Sequence, residues 1–398
     1  AKVEPMVLRA PYNELREFWG EGFWKTASGS RKKGTALDEY NSDWRKGIRK
    51  RPIYADYIET TLVRIFTDEG VVGIGQCHSP IFPEVSAQII NTVLAPILVG
   101  EDPLRTEYLW EKMFTTMRQR GHVSGFMMEA ISGVDIALWD IKGKACNKPI
   151  CVLLGGPFQD RLEAYQSHIS VHSPELLERE ARKAVNLGYK ALQITLTGNL
   201  DTDLENVTRV REIVGSECKI MVEGGAALDY KQALRIGRAL EKLDIFFFEE
   251  PLPAENLTGY ANLRCALDMA IAGGEGRCNR FDFKHIFDSN ALDVVQPDIG
   301  RAGGITECLK IATLAEVSHV SYAPHISNDT AIHVAASLHL ASAIPNFLIF
   351  EHWGEANPLG NAILVEPISF EEGYVRVPMG PGLGVEVNYD VIEKYIVT

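Results

Sequence analysis

CKIMVEGGAALDYKQALRIGRALEKLDIFFFEEP, residues 218–251, contains the unit from which the fold can be read. An apolar run ends in Glu223, a loop and an amphipathic helix follow, and a second apolar run ends in Glu249. The unit then recurs. MAIAGGE closes on Glu275, LDVVQPD on Asp298 and HVSYAPH on His325, so the five side chains stand 26, 26, 23 and 27 residues apart. That interval is one strand, one loop and one helix, the rhythm of a parallel barrel. A residue closing a barrel strand sits on the carboxyl-end rim, where barrel enzymes keep their chemistry. Three carboxylates followed by an acid and a histidine have the pattern of a metal site with a proton-transfer pair beside it.

Outward from this core, strands are predicted near 162–168, 190–196, 219–223, 245–249, 270–274, 293–297, 319–323 and 347–351. Amphipathic helices, as at 174–187, 229–242 and 303–317, lie between them. Upstream the texture changes. Residues 3–9, 57–67 and 71–77 alternate as strands, with the DEG turn at 68–70 making a hairpin of the last two. Helical periodicity follows over 84–98, 103–119 and 122–145, and Pro103 is expected to open the second of these helices. The predicted class is therefore α/β. An N-terminal α+β capping domain (1–125) precedes a modified TIM barrel (126–365), and a C-terminal segment (366–398) packs back on the cap. A stretch without periodicity, about 13–51, includes WGEGFWK (19–25) and the basic run RKGIRKR (45–51). Its aromatics, Trp24 among them, favour a lid that packs over something, because disordered segments are poor in such residues.

Composition removes several classes. A chain of 398 residues with 46% hydrophobic content can bury a large core, and a net charge of -13 argues against nucleic acid or an anionic membrane surface as partner. The seven cysteines form no CxxC pair and no zinc spacing, the pattern of reduced thiols in a cytoplasmic protein. No secretory h-region and no uninterrupted apolar run of membrane-spanning length is present.

The segment MMEAISGVDIALWDIKGKACNKPICVLLGG (127–156) resembles the signature of the mandelate racemase group of the enolase superfamily. So do EEP (249–251), GGE (273–275), QPD (296–298) and PGLG (381–384). The resemblance spans nearly the whole chain. It implies a (β/α)7β barrel under a capping domain, Mg2+ held by Glu223, Glu249 and Glu275, an Asp298–His325 dyad, carboxylate substrates and a homo-oligomer. Glu351, in LIFEHW, resembles the group's acid that hydrogen-bonds the substrate carboxylate.

Two departures shape the expected reaction. Glu223 stands where the group usually has the shorter aspartate. Gln193 and Thr195, in KALQITLTG, occupy the positions of a K-x-K pair and cannot take a proton from carbon at neutral pH. His325 is then the one base, its ordinary pKa of about 6.5 lying near working pH, with Asp298 fixing its tautomer. Racemisation needs a proton delivered to the opposite face, whereas syn β-elimination does not. The expected activity is dehydration of an aldonate to a 2-keto-3-deoxy acid. Alternatives are a cycloisomerase of an anhydro sugar acid or lactone, an epimerase, and a barrel that binds a sugar acid without turning it over. Gln193, Thr195, His168, Arg301 and Trp24 are the candidate substrate contacts, with a hydrogen-bonded core histidine as the other reading of His168. Apart from His168, His325 and His352, the histidines show no paired spacing and read as surface or core.

Overall fold

A computed structural model describes residues 2–11, 57–171, 173–327, 329–354, 357 and 359–397. The expected lid and Trp24 lie outside the described residues. Strands β1 (Lys2–Pro11), β2 (Tyr57–Phe66) and β3 (Val72–Cys77) form an antiparallel sheet in that order. The β2 sequence, YIETTLVRIF, is rich in the branched and aromatic residues that suit a half-buried pleat.

Four helical segments follow: α1 (Pro83–Ile89), α2 (Ala95–Leu98), α3 (Thr106–Arg118) and α4 (Phe126–Ala145). The helix predicted over 84–98 is interrupted by a π-helical turn at Ile90–Leu94. Pro96, in the first turn of α2, has no N–H to donate into the preceding turn, and the ladder widens there. Nor does Pro103 open a helix. The Asp102 side chain accepts the Leu104 N–H at 2.9 Å and holds Pro103 in a turn, so α3 begins only at Thr106. α4 is buried along nearly all its length, and β3 lies directly on it. That approach needs glycines, since a Cβ on Gly75 would be driven into the Gly133 carbonyl.

After the short α5 (Ile150–Leu153), strand and helix alternate: β4 (Arg161–Ile169), α6 (Pro174–Asn186), β5 (Ala191–Thr195), α7 (Leu200–Val214), β6 (Lys219–Glu223), α8 (Tyr230–Leu240), β7 (Phe247–Glu249), α9 (Leu257–Ala266), β8 (Ala270–Gly273), α10 (Arg280–Asp288), β9 (Val294–Val295), α11 (Gly304–Val317), β10 (Ser321–Tyr322), α12 (Ala331–Ser342) and β11 (Phe350–His352). Neighbouring strands pair in parallel from β4 to β10. β11 returns to β4, and a Tyr322–Phe347 bridge closes the ring, giving the (β/α)7β barrel. Tyr165, Ala191, Met221, Phe247, Ala272, Val294, Ala323 and Ile349 fill its interior.

Six barrel helices open on a side chain that caps their own N-terminus: Ser173, Asn199, Asp229, Asn256, Asn279 and Thr330. α11 opens on Gly303 and has no such cap. Asp135 of α4 does the work instead, accepting the Thr306 N–H at 2.9 Å and its hydroxyl at 2.6 Å, which ties α4 to the barrel wall. In the tail, β12 (Phe370–Glu371) and β13 (Tyr374–Arg376) form a hairpin, and β13 runs antiparallel to β4. Leu8 of β1 bridges Ile396, so the end of the chain reaches the N-terminal sheet. No described helix is long and apolar enough to cross a membrane, and all seven cysteines are free.

Candidate active site

Glu223 and Glu249 end β6 and β7 as in-register neighbours, and Thr195 sits beside Glu223 at the end of β5. Glu275, Asp298 and His325 lie just beyond β8, β9 and β10 rather than on the strands. Prolines explain two of these. Pro297 and Pro324 cannot donate to the ladder, so β9 and β10 stop short; pairing then resumes as an isolated Asp298–His325 bridge. The alternation of strand and proline brings the two side chains to one rim.

His325 is buried and held from both ring nitrogens. Its Nδ1 is 2.7 Å from Asp298 Oδ2, and its Nε2 is 3.0 Å from Glu275 Oε2. Burial alone would lower its pKa, but Glu275 and Asp298 outweigh that and hold it well above the ordinary value. Glu351, at the end of β11, is buried. Its Oε1 accepts the Ser167 hydroxyl at 2.6 Å and the Trp353 indole N–H at 3.2 Å, and its Oε2 accepts the Ile326 N–H at 2.8 Å. Burial pushes this carboxyl up despite those donors.

The remaining sequence candidates divide. Both ends of the Gln193 amide are engaged: Nε2 donates to Glu249 Oε2 at 2.6 Å, and Oε1 lies 2.8 Å from His168 Nδ1 and 3.0 Å from Ser167 Oγ. His168 is half-buried, with φ at 55° and its ring centroid 4.6 Å from that of Trp353. The Arg301 Nη1 donates to the backbone carbonyl of Glu275 at 3.1 Å and so braces the loop after β8. Thr195 Oγ1 and the Tyr165 hydroxyl are buried with no hydrogen-bond partner among the described residues. Burial, then Glu351, Glu249, Glu223 and Glu275, push the Tyr165 phenol well up.

Two buried charge clusters meet here, and they differ in kind. In the first, burial raises the carboxyls of Glu223 and Glu249 well above the usual range, helped by Glu249 and Glu275 at Glu223 and by Glu351 and Glu275 at Glu249. Their negative charge is unmet, and with Glu275 the donor set is entirely hard oxygen, which suits a divalent cation of the Mg2+ type. In the second, ligand atoms of His78, Asp298, Asp329 and His333 all lie within 4.8 Å of one another. Here the partners answer each other's charge. Burial would raise Asp298, yet His78, His333 and His325 hold it well below the ordinary carboxylate value. Asp329 is likewise lowered, against burial, by His333 and His78. There two imidazoles stand at hydrogen-bond distance from two carboxylates.

Sequence reasoning missed His78, Asp329 and His333. The reading that the other histidines are only surface or core is corrected for His78 and His333, whose partners come from distant segments. The one local signal was the i,i+4 spacing of Asp329 and His333 in NDTAIH. Ser167 and Trp353, which hold Glu351, also carried no signal beyond position.

Comparison with known proteins yields two family matches. Residues 56–155 match the mandelate racemase / muconate lactonizing enzyme N-terminal domain, and residues 176–391 match the enolase C-terminal domain-like family. The arabinonate dehydratase of Saccharolobus solfataricus is 35% identical, over 88% of this chain and 92% of that protein. The D-galactarolactone cycloisomerase of Agrobacterium fabrum is 33% identical, over 84% and 90%. Among solved structures, the 3,6-anhydro-D-galactonate cycloisomerase from Zobellia galactanivorans superposes with a TM-score of 0.84 at 32% identity, covering 100% of this chain and 99% of that one.

Proposed function

Because this chain belongs to the mandelate racemase and muconate lactonizing enzyme family of the enolase superfamily, whose members use a divalent metal, we propose that it is a Mg2+-dependent dehydratase of a sugar acid. The substrate class is an aldonate and the product a 2-keto-3-deoxy acid. Relatives named as arabinonate and D-galactonate dehydratases support the class of reaction.

The observation that carries the reading is the lone imidazole. His325 has Nδ1 on Asp298 and Nε2 turned toward the carboxylate rim, while Gln193 and Thr195 on β5 offer no second base. Glu223, Glu249 and Glu275 would hold the cation. When bound, Mg2+ supplies positive charge against the developing enediolate, an effect of several kcal/mol. With Glu275 turned to the cation, the carboxylate that raises the ring's pKa is drawn off, so His325 Nε2 would take the proton from carbon 2, and Asp298 stabilises the resulting imidazolium. The electron pair left on carbon 2 expels the 3-hydroxyl, which takes the proton back from the imidazolium and departs as water. The enol then tautomerises to the 2-keto acid. Glu351, its carboxyl pushed up by burial, faces the substrate carboxylate. Thr195 and His168 serve substrate hydroxyls, Gln193 fixes Glu249, and Arg301 fixes the Glu275 loop.

A specific observation favours a second reading. Two cycloisomerases of sugar acids match this chain along most or all of its length, and the same base could serve ring opening or closure. One experiment separates the two. Aldonates including D-galactonate and D-arabinonate are incubated with Mg2+ in deuterated water, with semicarbazide detection of 2-keto acids and His325→Asn as control. A 2-keto product that vanishes in the variant is the expected result. Deuterium at carbon 2 without a 2-keto product would favour isomerisation, and no exchange with any acid would leave only a binding protein.

A further inference from the structure

Beside Asp298 lies the second buried cluster, and it joins two parts of the fold. His78 follows β3 of the N-terminal sheet, whereas Asp329 and His333 belong to the segment that opens α12 of the barrel. His78 Nδ1 is 3.0 Å from Asp329 Oδ1 and 3.7 Å from Asp298 Oδ2. His333 Nε2 is 3.0 Å from Asp298 Oδ1, an oxygen that also accepts the Gly300 N–H at 2.8 Å. The Gln76 side chain of β3 donates to Asp329 at 2.7 Å. The backbone closes around the group: His78 N–H donates to the Gly300 carbonyl at 3.0 Å, and a Cβ on Gly300 would lie 2.8 Å from that nitrogen and 2.9 Å from the His333 ring.

We propose that His333, backed by Asp329 and His78, is a positioning residue for the Asp298–His325 pair, and that the N-terminal sheet thereby helps to aim the base. The proposal rests on the reading of that pair as the proton-transfer dyad. Its physical content is rotational. Asp298 Oδ2 faces His325 Nδ1, so the angle of the imidazole follows the angle of the carboxylate, and that angle is set by whatever grips Oδ1. His333 Nδ1 has no partner among the described residues. The Nε2–H tautomer is then the one that donates to Asp298, since the other would set a lone pair against the carboxylate and bury an unpaired N–H. Burial would lower the His333 pKa, but Asp329 and Asp298 outweigh it and raise it, and a protonated ring keeps the same Nε2–H donor toward Asp298. A misplaced base is costly, because small losses of alignment lower the rate without weakening substrate binding.

The test uses two variants that differ only in the donor. His333→Gln keeps an N–H near the Nε2 position; His333→Phe keeps the ring volume and removes the donor. In 15N-histidine-labelled full-length protein with Mg2+, the Nδ1–H of His325 should give a strongly downfield, exchange-protected proton signal. It should be lost in His333→Phe and kept in His333→Gln. With D-galactonate or D-arabinonate as the probe, kcat should fall about tenfold or more in His333→Phe with KM within about twofold, and recover in His333→Gln. An unchanged signal in His333→Phe, or equal loss in both variants, overturns the proposal. If His333→Phe does not fold, His78→Leu reads the same signal from the N-terminal side, and an unchanged signal there overturns it equally. His325→Asn identifies the resonance. A signal that survives that substitution sinks the dyad itself and not the layer behind it.

Discussion

Substituting Glu249 by glutamine removes one charge from the oxygen cluster at constant volume, and the metal-free protein should become more stable as it loses its response to Mg2+. The magnitude follows from the sheet. Glu223 and Glu249 are in-register neighbours on parallel strands, and such neighbours lie about 4.8 Å apart. Two carboxylates at that separation repel by roughly 3 kcal/mol at an effective dielectric of about 20. Some of that strain is already relieved, because burial and neighbouring carboxylates push both carboxyls well up and favour a bound proton. The net gain is therefore about 1–3 kcal/mol. Glutamine still offers an oxygen to the Gln193 amide, so that contact is not lost. The assay is thermal unfolding of EDTA-treated wild type and variant, followed by titration with Mg2+. In EDTA the variant should melt a few degrees higher. At about 100-fold excess over its Kd, Mg2+ should stabilise the wild type by about 3 kcal/mol and the variant hardly at all. A variant less stable than wild type in EDTA would refute the repulsion argument, and one that still gained fully from Mg2+ would remove Glu249 from the cation site.

Three further outcomes can be checked independently. His325→Asn should lower turnover of the identified aldonate by about 100-fold or more and abolish deuterium exchange at carbon 2, measured by NMR, with Mg2+ affinity changed little. Gly75→Ala should destabilise by on the order of 3 kcal/mol in urea titration, because its methyl meets the Gly133 carbonyl of α4 and both elements are buried; equal midpoints would show that the sheet can lift off the helix at no cost. His339 is buried and pushed down to about 4 from 6.5 by desolvation. Between those values the unfolded chain binds a proton that the fold does not, so stability is fully present above pH 6.5 and falls as pH drops toward 4, by about 3 kcal/mol. His339→Leu should flatten that slope without abolishing it, since His352 is also pushed to about 4 by burial and acts in the same direction. An unaltered slope would mean that His339 is charged in the fold.

What the sequence made legible was what repeats. Glu223, Glu249, Glu275, Asp298 and His325 each follow an apolar run at barrel spacing, so strand number and rim position could be counted before any coordinates. The failures share one cause, which is that they depend on groups outside the repeat. Pro103 reads as a helix start until the Asp102 side chain captures the Leu104 N–H. α11 lacks a cap of its own, and only the packing of α4 shows that Asp135 replaces it. Gln193 reads as a free amide for substrate until register sets it against Glu249 and Ser167.

The histidines make the same point about charge. His78 lies 220 residues from Asp298 along the chain, which no spacing rule connects (298 against 78), yet it is among the groups that hold that carboxylate ionised. Crowding of potential ligands does not by itself mark a cation site, because in the crowded group here imidazoles already pair with carboxylates. The two clusters differ in the direction of their shifts: histidines hold Asp298 and Asp329 down, whereas burial and neighbouring carboxylates push Glu223 and Glu249 up. That contrast supports the proposed roles, in which Asp298 fixes the base and Glu223 and Glu249 are offered to a metal. The protein keeps the two sets on either side of one imidazole, so a single ring answers to both.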